Sequence, residues 1–407
     1  MLNITLKWHK NILLHPAFLA LLITLLIIPF LPRVYRKYVA EVADSQYDAR
    51  SLHCFSVHTF NDLDKDGCSE DILMTKGQPS YLIIYDNKGG VLDQINFANP
   101  LAGGDAAVCF GDVDGDGLNE MYCFTQNDAR IYLQQVDVHK TADAGLSFHK
   151  LPTVYVDSMW INKNWVPGSD GANKYDGGIY ASCIRDMDGD GKSELLFAIG
   201  TAFSCQPRNM YLYDPEEDSI YKSPESGSSY SNRPGPDIVD LNGDGLPELI
   251  YGTRATGNLP ADFPYSDSSA WLMALNHKMH FLFPPLEFPL FNSFTQAVPY
   301  RTQDGFCIAV LYNYFGIKDR RPALYLYSRN GKRLAERPLP PEAKGRSLQL
   351  LSTPRKARDR LFLIDEKGMV SEISQQLDTL AQHHFEPLFL NQTYQLDADG
   401  DGLAENL

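Results

Sequence analysis

The chain has 407 residues, 44% of them hydrophobic, enough for one large repeat architecture or two ordinary domains and too many for wholesale disorder. A formal charge of −15 excludes a nucleic-acid surface, which would gather Lys and Arg. Thirty Gly, 25 Pro and 22 Tyr favour a turn-rich β protein over a helical one.

The first element is the run "ILLHPAFLALLITLLIIPFL", Ile12 to Leu31, which carries no formal charge and is long enough to cross a ~30 Å hydrocarbon core. A signal peptide is the competing reading. Its apolar region spans only about 7–15 residues, however, and here "LPRVYRKY" stands where a small-residue cleavage site belongs. We therefore expect a short cytoplasmic tail at 1–11, an uncleaved transmembrane anchor at 12–32 and a linker at 33–50. Flanking charge leaves orientation open, because Lys7 and Lys10 precede the span and Arg33, Arg36 and Lys37 follow it.

Repetition organises the rest. Five nine-residue phrases recur: "DLDKDGCSE" (62–70), "DVDGDGLNE" (112–120), "DMDGDGKSE" (186–194), "DLNGDGLPE" (240–248) and "DADGDGLAE" (397–405). Each has Asp at position one, Asp or Asn at three, Asp at five, Gly at six and Glu at nine. The candidate ligands are Asp62, Asp64, Asp66 and Glu70; Asp112, Asp114, Asp116 and Glu120; Asp186, Asp188, Asp190 and Glu194; Asp240, Asn242, Asp244 and Glu248; and Asp397, Asp399, Asp401 and Glu405. Oxygen donors at alternating positions around a glycine turn suit Ca²⁺, which takes roughly six to eight oxygens at about 2.3–2.6 Å. Mg²⁺ prefers a stricter octahedron and keeps its waters, and Zn²⁺ would need His or Cys in phase with the loops. A plain acidic turn does not explain one grammar written five times. An EF-hand needs Glu at position twelve, where Leu73, Cys123, Phe197 and Tyr251 stand.

Short apolar runs follow the loops: "DILMT", "MYCFT", "LLFAIG" and "LIYGT" read as buried strands. Hairpins come next, strongly at 81–95, 323–339 and 360–374 and more weakly at 209–221, 129–139 and 270–283. "TQDG" (302–305) stands where another loop belongs, reduced to a bare turn, and "PPEAKGR" (340–346) has no carboxylate cluster. With the loop at 397 this makes seven units of roughly 40–75 residues, so the expected fold is all-β, a seven-bladed β-propeller with its last blade incomplete. A linear β-solenoid is the runner-up.

These loops and strands resemble the FG-GAP or VCBS repeats of integrin α-chain propellers and of many bacterial surface proteins, over residues 51–407. The resemblance implies calcium between the first two strands of a blade, held by the carboxylates above and Asn242, and binding at the cell exterior. It also implies that position seven (Cys68, Leu118, Lys192, Leu246, Leu403) gives a backbone carbonyl. The Phe-Gly and Gly-Ala-Pro signatures of the family are poorly matched. Extracellular modules of this sort bind calcium at about 10⁻⁴–10⁻³ M, which places residues 33–407 outside the cytoplasm, in the periplasm or at the cell surface. Five bound ions would bring −15 to −5.

Seven cysteines leave at least one unpaired. Cys109, Cys123 and Cys183 read as small core residues; Cys54 and Cys68 are a conceivable pair. Catalytic motifs are missing (no P-loop, no dinucleotide fingerprint, no H-E-x-x-H, no G-x-S-x-G), so no enzyme is expected here. The second and third loops start 74 residues apart, against 50 and 54 for their neighbours, so about twenty residues are inserted within 150–178. They carry Trp160, Asn162, Asn164 and Trp165, candidate partner-binding residues that otherwise pack over a blade edge. The segment 254–269 is a second long loop. Because blade seven stops after its loop, the chain reads as the front part of a longer receptor. Two functions follow: the extracytoplasmic sensor of a membrane receptor such as a histidine kinase, or an anchored adhesion or scaffold module that binds a protein or glycan without signalling.

Overall fold

A computed structural model describes residues 55–75, 79–104, 106–142, 145–161, 177–201, 205–231, 237–314, 321–340, 349–353, 359–365, 367–384, 395–396 and 405–406. The chain divides into two units, 1–51 and 52–407, and all of these residues belong to the second. The expected anchor at 12–32 lies outside them; among the described residues no helix is long and apolar enough to cross a membrane.

The described chain is all-β. Its first meander is β1 (Phe55–Asn61), β2 (Glu70–Thr75), β3 (Ser80–Tyr85) and β4 (Val91–Phe97), each strand antiparallel to the next. The second is β5 (Val108–Gly111), β6 (Glu120–Asn127), β7 (Arg130–Lys140) and β8 (Leu146–Lys150), with β9 (Val154–Ser158) also paired to β7. A small bridge of β10 (Trp160–Ile161) with β13 (Cys205–Gln206) flanks the third meander, which is β11 (Gly177–Arg185), β12 (Glu194–Thr201), β14 (Met210–Asp214) and β15 (Ser219–Lys222). After β16 (Ser229–Tyr230), the fourth runs through β17 (Asp237–Val239), β18 (Glu248–Ala255), β19 (Ser269–Leu275) and β20 (Leu286–Pro289). The fifth is β21 (Ser293–Thr302), β22 (Gly305–Tyr314), β23 (Ala323–Ser328) and β24 (Arg333–Pro338). The sixth is β25 (Gln349–Thr353), β26 (Arg360–Ile364), β27 (Met369–Ile373) and β28 (Thr379–His384), and β29 (Gln395–Leu396) then pairs with β30 (Glu405–Asn406).

Side-chain alternation explains why the second strands are apolar on both faces. In β12, Leu195, Phe197 and Ile199 join the core shared with the first two meanders, while Leu196 and Ala198 pack toward the fourth. In β22, Ile308 and Val310 face the fourth meander, and Ala309 and Leu311 face the sixth. Successive meanders thus pack face to face, and the fourth and fifth are also joined by the β18–β21 pairing at Arg254–Phe294 and Ala255–Ser293. Fourth strands such as "RLAERP" and "TLAQHH" are mostly exposed, and the charges of β24 suit an outer edge.

Two weaker hairpin expectations need correction. The expected hairpin at 129–139 does not form: Ala129 is in the turn that precedes β7 and residues 130–139 lie in one long strand, because the first half of β7 pairs with β9 and the second half with β8. In 270–283 the turn at Asn276–His280 is present, but it is followed only by the bridge Leu275–Phe281, and the partner strand of β19 comes later, at 286–289. The other four hairpins form as read.

A backbone contact ties the second meander to the third. Ile179 N donates to Gly103 O at 2.9 Å, and Ala106 N to Ile179 O at 3.2 Å. Gly104 sits at φ +93°, where a Cβ would fall 2.0 Å from Ile179 O. Gly104→Ala is therefore expected to lower stability by more than ~2 kcal/mol, measurable as a shift of the urea midpoint at unchanged slope.

Candidate metal centre

Four acidic phrases join the first two strands of a meander and the fifth stands between β29 and β30, and the register is the same every time. The residue before position one pairs with the Glu at nine: Asn61–Glu70, Gly111–Glu120, Arg185–Glu194, Val239–Glu248 and Leu396–Glu405. Residues 397–404 of the fifth loop, with Asp397, Asp399 and Asp401, lie outside the described residues, as does the side chain of Glu405.

Within the four described loops one hydrogen-bond pattern repeats. In the second loop the Asp112 carboxylate accepts from Gly115 N at 2.8 Å and Gly117 N at 3.1 Å. Asp114 accepts from Asp116 N at 3.0 Å, Asp116 from Leu118 N at 2.8 Å, and Glu120 reaches back to Val113 N at 2.7 Å. The third loop repeats every one of these bonds, from Asp186, Asp188, Asp190 and Glu194 to the corresponding amides. The first and fourth do so nearly bond for bond. Position six requires a left-handed backbone in all four, at φ +91° or +92° for Gly67, Gly117, Gly191 and Gly245.

Folding the carboxylates inward leaves their remaining oxygens clustered. Donor atoms of Asp62, Asp64 and Asp66, of Asp112, Asp114 and Glu120, and of Asp186, Asp188 and Glu194 lie within 4.8 Å of one another. In the four described loops the position-nine Glu is buried. Burial first, then neighbouring aspartate charge, pushes Glu120 and Glu194 up to about 7 and raises Glu70 and Glu248 as well, against the pull of the amides they accept from. Glu120 tests the fit of a cation most directly. It is 6% exposed, and its Oε1 meets no hydrogen-bond donor among the described residues. A buried carboxylate oxygen facing two aspartates without a donor suits a hard cation. In the fourth loop the place of the second Asp is taken by Asn242, whose Nδ2 donates to Asp244 at 3.0 Å and to Glu248 at 2.7 Å. Its amide supplies the positive end that the other loops lack.

The loops are also linked sideways. Asn119 N donates to Leu63 O at 2.8 Å and Ser193 N to Val113 O at 3.3 Å, so position eight of one loop binds position two of the loop before it. Pro247 occupies position eight of the fourth loop and has no N–H to continue the chain. Lys65 crosses from the first loop to Asp112 of the second, 2.7 Å away. Burial opposes ionisation of Asp112, but the Lys65 bond and charge prevail and lower its pKa. Where the fifth meander has only the bare turn Thr302–Gly305, an Arg301–Asp359 pair stands instead: Asp359 N donates to Arg301 O at 2.9 Å, Arg301 N donates to the Asp359 carboxylate at 2.6 Å, and the guanidinium lies 3.3 Å away.

Of the proposed partner-binding residues, Trp160 is 40% exposed in β10, 6.3 Å from the Phe263 ring; Asn162, Asn164 and Trp165 lie outside the described residues. The second long loop, 254–269, is held down by Asp267, fully buried against Arg208. Cys109 and Cys123 are buried, as a core role requires, and Cys183 is partly so; Cys68 is an exposed free thiol, and Cys54 lies outside the described residues. Sequence reading missed Tyr155, Asp157, Tyr211 and Lys222, which three strands bring together. Their signal was Tyr155 and Asp157, and Tyr211 and Tyr213, each pair spaced by two and so sharing a strand face.

No protein-family model and no curated protein matches the chain. Among solved structures it is similar to the Dos1 propeller (11% identity, 81% of this chain and 72% of that one, TM-score 0.45). It is likewise similar to BBS1N in complex with ARL6DN, soaked with lead (11%, 84% and 85%, 0.42). A third is BamB from Moraxella catarrhalis (11%, 79% and 75%, 0.39).

Proposed function

We propose that residues 52–407 form a calcium-stiffened β-propeller of the FG-GAP or VCBS kind, acting as an extracytoplasmic ligand-binding or sensing module held to a membrane by residues 12–32. The observation that carries this reading is the repeated loop: one hydrogen-bond grammar in four loops and one strand register in five. Six consecutive meanders whose apolar faces pack on one another support the radial arrangement, and in this reading β29 and β30 would open a seventh blade. The clustered carboxylates would hold the ions, and the ions would cancel charge and lock each turn between its strands; their role is structural. Binding would then fall to the surfaces these turns position.

Titration of the calcium-stripped full chain in detergent tests the reading. About five ions per chain are expected, one for each loop, with affinities near 10⁻⁴–10⁻³ M. Binding of one ion or none would refute it.

A further inference from the structure

We propose that the cleft between the second and third meanders is a binding site for an organic ammonium group, carried by a small polyamine or by a lysine side chain. The inference rests on the reading of this unit as a binding module and names the site and ligand chemistry within it. The cleft measures about 870 Å³, and β6, β7, β9, β14 and β15 contribute to its walls. That volume is within the roughly 300–1,000 Å³ of small-molecule sites.

Its lining is tyrosine and carboxylate. Tyr155 supplies exposed aromatic surface and Tyr122, Tyr211 and Tyr213 are buried in the wall behind it, while Asp114, Glu120, Asp137, Asp157 and Asp218 line the cleft with the single ammonium of Lys222. Asp114 and Glu120 belong to the second loop and would be neutralised by its cation. Three carboxylates against one ammonium still remain. Among the described residues these three are not gathered closely enough to share one metal ion, so they suit a longer molecule with spaced charge.

The cleft already displays the chemistry. Lys222 Nζ lies 2.7 Å from Asp157 Oδ2 and 5.6 Å from the centre of the Tyr211 ring, whose hydroxyl donates to the same oxygen at 2.6 Å. This is an ammonium held by a carboxylate and an aromatic face. Asp137 offers a second position. Its Oδ2 is 3.1 Å from His139 Nε2, but its Oδ1 is buried and meets no donor among the described residues. Leaving such an oxygen without a donor is costly; the side chain is 21% exposed, and a turn of the carboxylate toward the cleft would let a ligand ammonium supply the donor. Tyr155, 51% exposed, offers aromatic surface to the rest of the ligand.

Calorimetric titration of the full chain in saturating calcium, with spermidine and separately with a trilysine peptide blocked only at its termini and keeping its side-chain ammonium groups, tests the proposal. Saturable binding of either supports it, and the tighter probe identifies the source. Asp137→Asn is expected to weaken binding about tenfold, and Tyr155→Ser severalfold, with calcium stoichiometry unchanged in both. Asp262→Asn, exposed and outside the lining, serves as the charge control and should leave affinity as it is. Failure of both probes would overturn the site, as would equal losses in Asp137→Asn and Asp262→Asn, which would mean attraction by net charge alone. Amine binding that calcium displaces would also overturn it, because the amine would then be occupying the second loop. Loss of calcium stoichiometry in the unaltered chain would instead refute the module reading.

Discussion

Chelation of calcium is expected to lower the melting temperature on the order of 10 °C, read by circular dichroism on the full chain in detergent with and without excess EGTA. At free calcium tenfold above the dissociation constant each site contributes about 1.4 kcal/mol, so five sites add roughly 7 kcal/mol. The physical source is in the loops: in each of the first three, donor atoms of three carboxylates lie within 4.8 Å of one another, and the Glu at position nine is buried. Without a cation, repulsion and the desolvated Glu oppose the turn that the strands require.

The same source fixes a pH dependence with opposite signs in the two states. Glu120 and Glu194, raised from 4.5 to about 7 by burial and neighbouring charge, bind protons more tightly in the folded chain than in the unfolded one. In chelator their contribution is therefore full below about 4.5 and is lost as pH rises to about 7, so the calcium-free chain should melt higher at pH 5 than at pH 8. In calcium the order should invert, because the ion needs deprotonated carboxylates and protons compete with it. Equal melts with and without chelator at both pH values would exclude structural calcium.

The second large effect is expected at Asp267. Its side chain is fully buried, and it accepts from Arg208 at 2.9 Å, Thr256 Oγ1 at 2.7 Å, Asn258 N at 2.9 Å and Leu259 N at 2.9 Å. Arg208, 1% exposed, also donates to Gly227 O at 2.6 Å. One carboxylate thus fastens the 254–269 loop to the third meander. Asp267→Ala strands a buried guanidinium and frees the loop, so it should cost about 3–5 kcal/mol in urea unfolding. New protease cuts within 254–267 should accompany it. Replacing both partners, Arg208→Met with Asp267→Leu, removes the uncompensated charge and should cost less than the two single changes together. A single substitution within ~1 kcal/mol of the parent would show that the pair is not what fastens the loop.

Much of this molecule was legible beforehand because its devices are local. Asp112 bonds to amides three and five residues on, and Glu120 to one seven residues back, so spacing alone prescribes the loop. The apolar runs after the loops became strands buried on both faces for the same reason: a strand sandwiched between sheets has no polar side. Residues 129–139 misled because a long strand with two partners has the length and polar interruptions of a hairpin, and only the pairing distinguishes them.

The sequence by itself determined the all-β class, the four described acidic loops, the strand register that flanks all five, and the degenerate turn at 302–305, since each depends on hydrogen bonds closed within a few residues. The tertiary structure decided the rest. Lys65 reaches Asp112 across 47 positions, Lys222 reaches Asp157 across 65, and Arg208 reaches Asp267 across 59. No spacing rule encodes such pairs, because they exist only after successive sheets have packed face to face and brought distant strand ends to one place.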